Sequence, residues 1–525
     1  MRSSTVFLIG AGPGDPGLIT ARGLRCLASA DVVLYDHLVH PRLLRHARAD
    51  AEKIDVGRAA PQPREQEAIC YLLLEKAREG KTVARLKWGD PFMFDRGGSE
   101  ALFLHEQGVR FEVVPGIPVG MGAACYAGVP LTYPGGGDTL TFVRGYEDDG
   151  STRANIDWDA LARLDGTIVC YAGPDQLPHM LGALLSHGRP PDEPVALIYD
   201  GTLPSQRSTF GSLGEIARAA KHSADRRAAV LVVGRVTALR EHLRWFDTRP
   251  LFGKRVLVTR RREQAAELIE LLESNGAEVI EAPMIRIAPP VDHSQLDQAC
   301  AEISRFDWIV FSSGNAVDAF VARLLASPLD LRALGGVRLC AVGPATAERL
   351  ARHGLKVDVV PPEYRAEAMV QALVPSGDAR GLKIFVPRGD IGRDVVADDL
   401  RRQGAEVTEA IAYRTVPAEL QREGAPDVYK MLLERRIDVV TFASASAVRN
   451  FVRMLGAEPA ADLLSSTVVA SIGPVTVEMA ARYAIETTIM PADHTIPALV
   501  DAIVQFFHVR TGDAAGLVAA PTPRS

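Results

Sequence analysis

The sequence predicts an α/β protein in two unlike halves: two α/β subdomains, then two similar α/β lobes joined by crossing strands. Three observations predict it. Short, β-branched apolar runs alternate with stretches of helical periodicity, as in parallel sheets covered on both faces. Glycine bursts close many of those runs, where an α/β sheet presents its carboxyl edge. The second half contains much of itself twice, and an internal repeat outranks local signals in reading a fold.

In the first half, "VFLIGAG", "DVVLYD", "KIDVG", "TVARLKWGD" and "RFEVVPG" read as five strands with helical segments between them, a nearly parallel subdomain. After Thr139, "LTFVRGY", "TIVCYAG", "PVALIYDG" and "AAVLVVGRV" read as strands separated by fewer helices, a mixed subdomain. Asp247, Thr248, Arg249 and Pro250 form a short polar joint, and a new strand begins at Arg255.

The repeat follows. "RVLVTR" from Arg255 returns as "KIFVPR" from Lys383, and Gly276-Ala277-Glu278-Val279 returns as Gly404-Ala405-Glu406-Val407. "DWIVFSS" from Asp307 returns as "DVVTFAS" from Asp438, and "CAVGPAT" from Cys340 as "ASIGPVT" from Ala470. Helices between them carry apolar residues at helical spacing, such as Ala265, Leu268, Ile269 and Leu272. "PMIRIAP" and "AIAYRTVP" are expected to cross between the lobes, with a ligand in the cleft. The small, Pro-containing residues 509–525 read as a disordered tail.

Bulk properties exclude several classes. The net charge of −6 gives no global basic field, which removes nucleic acid as main partner. No apolar run approaches the roughly 20 residues that span a bilayer, and "TVFLIG" is a strand rather than a leader. Six cysteines without a CxxC pair read as buried thiols of a reducing compartment, so the reading is cytoplasmic, with no metal.

The loop "LIGAGPGDPG" (residues 8–17) follows a strand, but Asp15 stands where a dinucleotide fingerprint needs its third glycine. It reads either as a tight turn or as backbone approaching a nucleotide. "KWGDPFMFDRGGSE" (87–100) packs glycines, acids, bases and two phenylalanines, a composition poor for a core and suited to a polar ligand. Asp36 reads either as a helix cap or as a functional acid. In the second half, Ser313 with Ser444 and Thr346 with Thr476 recur at strand ends. Singly each reads as a helix cap; paired across lobes they suit an anion-binding cleft.

The set "GAGPGDPG", "ADVVLYDHLV", "KWGDPFMFDRGG", "VVPGI", "YAGVPLT", "ALIYDGT" and "VVGRVTALR" closely resembles the uroporphyrinogen-III C-methyltransferases, a tetrapyrrole methylase family, over about residues 5–246. The resemblance implies S-adenosylmethionine, not NAD, as the ligand. It implies cofactor contacts at Pro13, Trp88, Gly89, Asp90, Met93, Pro118, Val119, Ala172 and Gly201, and Asp36 as proton acceptor. Departures are Arg58 for the family lysine, Trp88 in a "GGD" motif, Pro118-Val119 for Thr-Ala, Ala172 for methionine, "LTYP" for "LTHR" and "RGY" for "TGH". Arg58 keeps the charge of a catalytic position but is not a proton donor.

"VLVTR", "FSSGNAV", "AVGPATAERL", "VPRGD", "AYRTVP", "TFASASAV" and "SIGPVTVEMA" resemble uroporphyrinogen-III synthases over about residues 253–508. That resemblance implies conversion of hydroxymethylbilane to uroporphyrinogen III with inversion of ring D. Tyr413 matches a tyrosine that assists loss of the hydroxyl, or is a wedge between the crossing segments. Ser313, Thr346, Ser444 and Thr476 match substrate-binding positions, and Arg260 and Arg388 either pair with substrate carboxylates or sit at strand ends. Together the two resemblances imply a tetrapyrrole-methylase fold (1–246), a linker (247–252) and a synthase unit of two flavodoxin-like lobes. Lobe 1 is 253–287 with 416–508, lobe 2 is 288–415. A homodimer through the first half is expected, and the product implied is precorrin-2.

Overall fold

A computed structural model describes residues 4–57, 65–145, 155–222, 225–260, 262–282, 285–361, 366–374, 378–390, 395–417 and 427–515. The first sheet takes strands β1 (Val6–Gly10), β2 (Val32–Tyr35), β3 (Glu52–Asp55), β4 (Val83–Lys87) and β5 (Phe111–Val114) in the order β3-β2-β4-β1-β5, all parallel. Every loop that follows one of these strands therefore opens on one edge. There Gly10 and Gly116 touch: a Cβ on Gly10 would stand 2.5 Å from the Gly116 Cα. Only glycine lets these strand ends close up.

The second sheet is mixed. It holds β6 (Thr139–Arg144), β7 (Gly166–Ala172), β8 (Pro194–Tyr199), β9 (Arg207–Ser212) and β10 (Ala229–Val233) in the order β6-β7-β10-β8-β9. Only β6 and β7 run parallel; β10 is antiparallel to both its neighbours. Strand β9 was not legible: "RSTFGS" has no apolar run, because it pairs on one side only, with β8, at the sheet edge.

The second half forms two doubly wound sheets. Strands β11 (Arg255–Val258), β12 (Glu278–Glu281), β18 (Val439–Phe442) and β19 (Val468–Ser471) make an all-parallel sheet in the order β12-β11-β18-β19. Strands β13 (Ile285–Ala288), β14 (Trp308–Phe311), β15 (Arg338–Ala341), β16 (Lys383–Gly389) and β17 (Glu406–Pro417) make the other, ordered β13-β17-β16-β14-β15. Matching the repeats (β11 to β16, β12 to β17, β18 to β14, β19 to β15) gives both sheets one order. The chain starts the first, builds the second entire, and returns. β13 and the far end of β17 cross as an antiparallel pair, Ile285 opposite Pro417 and Ala288 opposite Arg414.

One expectation, a disordered tail from residue 509, is corrected below, and the polar joint at 247–250 is packed: Asp247 pairs with Arg240, and the buried Leu251 donates its N–H to the Asn275 carbonyl at 2.8 Å. The apolar side chain at Leu251 is what draws the joint into the second half's core. The last helix, Ile496–Ala515, runs past residue 508; nothing in "VRTGDAA" except Gly512 opposes a helix.

Candidate functional site

At the carboxyl edge of the first sheet, the loops after β1 and β4 are stitched together. Gly89 N–H donates to the Gly12 carbonyl at 2.8 Å, and the Trp88 indole N–H donates to the Pro13 carbonyl at 3.0 Å. Gly12 (φ +81°) and Gly89 (φ +74°) hold the left-handed backbone this needs. The loops face the second sheet across a cavity of about 450 Å³. Pro13, Trp88, Val119, Ala172 and Gly201, five of the nine positions named from sequence, line it. So does the segment His37–Pro41, which sequence reasoning passed over.

The other four lie outside the lining. Asp90 accepts N–H bonds from Phe92 (2.8 Å) and Gly116 (2.9 Å), so its carboxylate holds the loop together. Gly89 backs onto Val119, Met93 follows the Asp90 turn, and Pro118 caps helix Val119–Tyr126. Arg58 lies outside the described residues. Across the cavity, Asp200 (φ +49°) and Thr202 (φ +73°) hold left-handed backbone although neither is glycine, and Arg227 pairs with Asp200.

Asp36, one residue before that wall, sits above a buried charge network. Arg85 Nη2 meets Asp36 Oδ1 at 2.5 Å, and Arg85 Nε reaches Glu100 at 3.3 Å. Lys87 meets Glu100 at 3.0 Å and Asp95 at 2.9 Å. Gln66 also donates to Glu100, at 3.1 Å. Arg85, Lys87 and Glu100 are at most 2% exposed, whereas the Asp36 side chain keeps 26%. Burial works against ionising Asp36, but Arg85 and Lys87 outweigh it and hold its carboxyl below the usual range. Asp36 is therefore ionised at neutral pH. His40 is pushed down to about 4, first by burial and then by Arg42, so this cavity wall carries a neutral imidazole.

In the second half, the named residues sit at the carboxyl ends of the central strands, where doubly wound sheets bind ligands. Arg260 follows β11 and Ser444 follows β18, its sheet neighbour; Arg388 ends β16 and Ser313 follows its neighbour β14. Ser313 and Ser444 cap the next helices, accepting from Ala316 and Ala447 N–H at 3.2 Å. The structure brings Ser313 and Tyr413 together, hydroxyl to hydroxyl at 3.2 Å, with the Tyr413 ring lying on Gly389. A bulge at Arg388–Gly389 turns Tyr413 there. Arg388 pairs with Glu409 at 2.8 Å. Thr346 and Thr476 are buried under the first turns of their helices, at 5% and 3% exposure. Among the described residues no group of three metal-ligating side chains gathers, and no helix is long and apolar enough to cross a membrane.

Comparison with known proteins divides the chain at the same place. Residues 5–217 match the family model of the tetrapyrrole (corrin/porphyrin) methylases, and residues 266–501 match that of uroporphyrinogen-III synthase HemD. A porphyrin biosynthesis protein HemD of Ruminiclostridium josui is 34% identical over 96% of this chain and 98% of its own. A uroporphyrinogen-III C-methyltransferase of Bacillus subtilis is 35% identical over 70% of this chain and 76% of its own. A solved uroporphyrin-III C-methyl transferase of Thermus thermophilus, complexed with S-adenyl homocysteine, is 37% identical, covering 45% of this chain and all of that one, with a TM-score of 0.39.

Proposed function

This chain belongs to the tetrapyrrole methylases through its first half and to the uroporphyrinogen-III synthases through its second, and from that premise we propose how one bifunctional enzyme divides the work. Residues 253–508 close hydroxymethylbilane to uroporphyrinogen III with ring D inverted. Residues 1–246 then methylate that product twice, to precorrin-2. The observation that carries the reading is Asp36, held ionised by Arg85 beside a largely apolar cavity.

That cavity suits S-adenosylmethionine. Its lining is largely apolar, with Leu38, Trp88, Tyr171 and Leu203, and at Gly201 a Cβ would stand 2.5 Å from the Ala123 Cβ, so the chain keeps that point flat. Pro13, Trp88, Val119, Ala172 and Gly201 would hold the ligand, with Gly89, Asp90, Met93 and Pro118 shaping the loops behind them. The bound ligand supplies an electrophilic methyl group. Asp36 takes the proton released when a pyrrole carbon gains that methyl. Arg58, for which the family has a lysine, keeps a positive charge for substrate carboxylates.

In the synthase unit Tyr413 assists loss of the hydroxymethyl hydroxyl, oriented by Ser313. Ser444, Thr346 and Thr476 offer hydroxyls and helix N-termini, and Arg260 and Arg388 offer charge, to the carboxylates of the bilane. Neither step calls for a metal, and the enzyme works in the cytoplasm. Met121, Tyr133 and Leu243, exposed at 48%, 52% and 45%, support a homodimer through the first half, which sedimentation tests. A second reading, active synthase with a methylase of altered specificity or none, draws on the Trp88 indole, which fills cavity wall where the resembling family carries glycine. Anaerobic incubation with hydroxymethylbilane and methyl-labelled S-adenosylmethionine separates the two: a dimethylated type III product supports the first, unlabelled uroporphyrinogen III the second.

A further inference from the structure

Two walls of the cavity are anchored outside the core of the half that carries it. His37–Pro41 runs directly into Arg42, whose guanidinium leaves the first half to pair with Glu273 and Glu281. Arg42 Nη2 also donates to the Val279 carbonyl at 3.2 Å, and Arg45 pairs with Glu281 in turn. The Arg42 side chain is 18% exposed and that of Glu281 6%, so these charges are largely withdrawn from water. Removing one partner then strands the other.

The facing wall, Pro13–Gly14, continues into Asp15. The Asp15 carboxylate accepts from Tyr126 Oη at 2.7 Å and from Gly17 N–H at 2.8 Å, and its N–H donates to Thr202 Oγ1 at 3.0 Å. Tyr126 packs against Trp245 and Phe246 at 4.9 and 4.7 Å between ring centres. Arg249 of the joint lies over both those rings and donates to the Glu273 carbonyl at 3.4 Å. Both paths end on Glu273, in the last turn of helix Arg262–Ser274 of the second half.

We infer that Glu273 and Glu281, carried by the synthase half, are positioning residues for the methyl-donor cavity of the other half. By holding Arg42 they fix His37–Pro41, and so set how tightly the donor is bound. The inference rests on the reading of that cavity as the donor site. Coupling of this kind is reciprocal, so a filled cavity also tightens the docking of the second half.

The test titrates S-adenosylhomocysteine into the full-length protein by calorimetry. Glu273→Gln with Glu281→Gln removes both charges while keeping shape. A roughly tenfold weaker Kd is expected, with a matching rise in KM for the methyl donor, kcat within twofold, and hydroxymethylbilane turnover unchanged as proof of folding. Arg42→Glu is expected to weaken binding further, and Arg42→Glu with Glu273→Arg to recover most of that loss. A wild-type Kd in the Gln double variant, or no recovery in the swapped pair, overturns the inference. If the unaltered protein itself fails to bind S-adenosylhomocysteine, the reading of the cavity falls, and the inference with it.

Discussion

The two halves are both layered α/β structures, yet they bury different chemistry. Among the described residues the charged residues buried as a whole, Arg85, Lys87, Glu100 and Arg189, all lie in the first half, and the Glu281 carboxylate of the second is covered only where it meets Arg42 and Arg45 of the first. The polar residues that the second half buries as a whole are hydroxyl-bearing: Thr259, Thr346, Thr441, Thr467, Ser471 and Thr476. A buried charge network fixes a field before any ligand arrives, which suits steering one proton at one carbon. Hydroxyls cost little to wet again, so a cleft lined by them can open and close around a flexible open-chain substrate. The difference teaches that the first half holds a charge network fixed by its own fold, while the second keeps its buried polarity neutral.

The sharpest way to break this contrast is Arg85→Leu. It strands Asp36 and leaves Glu100, whose Oε2 already lacks a hydrogen-bond partner, with Lys87 as its one remaining cation. Unpairing a buried ion costs about 3–5 kcal/mol. Denaturant unfolding should show a destabilised first transition, with methyl transfer abolished and hydroxymethylbilane turnover intact. Equal loss of both activities would mean the halves share one cooperative unit.

Asp36→Asn comes next. It should lower methyl transfer about 10²–10⁴-fold while S-adenosylhomocysteine still binds, by stopped assay and calorimetry. The sign of the pH effect follows from the depressed carboxyl: its stabilising charge is present above the unfolded value near 3.9 and lost only as pH falls through the lower folded value. The rate profile should therefore show no acid limb from Asp36 between about pH 5 and 8. An Asp36-dependent inflection inside that window would break the reading.

What was legible in sequence follows the same contrast. The repeat and the strand-end glycines exposed four sheets and the loops that cluster on their edges, because periodicity and backbone demands are local. The buried network was not legible. In "VARLK", Arg85 and Lys87 alternate with apolar residues as on a half-wet strand, yet all five are buried, because helix Gly97–Glu106 brings Glu100 over them. Arg42 escaped for a like reason: its partners Glu273 and Glu281 lie far along the chain. Asp90 was assigned to the ligand through the family resemblance, and the fold adds the amides of Phe92 and Gly116 that its carboxylate accepts from.

Tyr413→Phe sharpens the other side. Losing the hydroxyl that meets Ser313 should slow hydroxymethylbilane turnover about tenfold, the worth of one good hydrogen bond, and leave methyl transfer alone. The last effect belongs to His40 and is read in stability rather than rate. Its folded value near 4 lies below the unfolded value near 6.5, so the unfolded chain takes up a proton that the folded one refuses. The first half should lose stability as pH falls from about 6.5 towards 4, and His40→Gln should flatten that slope in thermal melts.

The order of strands in the second half also sets an order of synthesis. β11 and β12 leave the ribosome early, but their sheet is completed only by β18 and β19, after the other sheet has been made entire. At 5–20 residues per second the unfinished sheet waits roughly 8 to 32 s for β18. Glu273 and Glu281 belong to that early fragment, and Arg42 is already made when they emerge. The first half is thus complete in sequence before the lobe it touches, and both ends of these ion pairs exist while two of that lobe's four strands are still to be made.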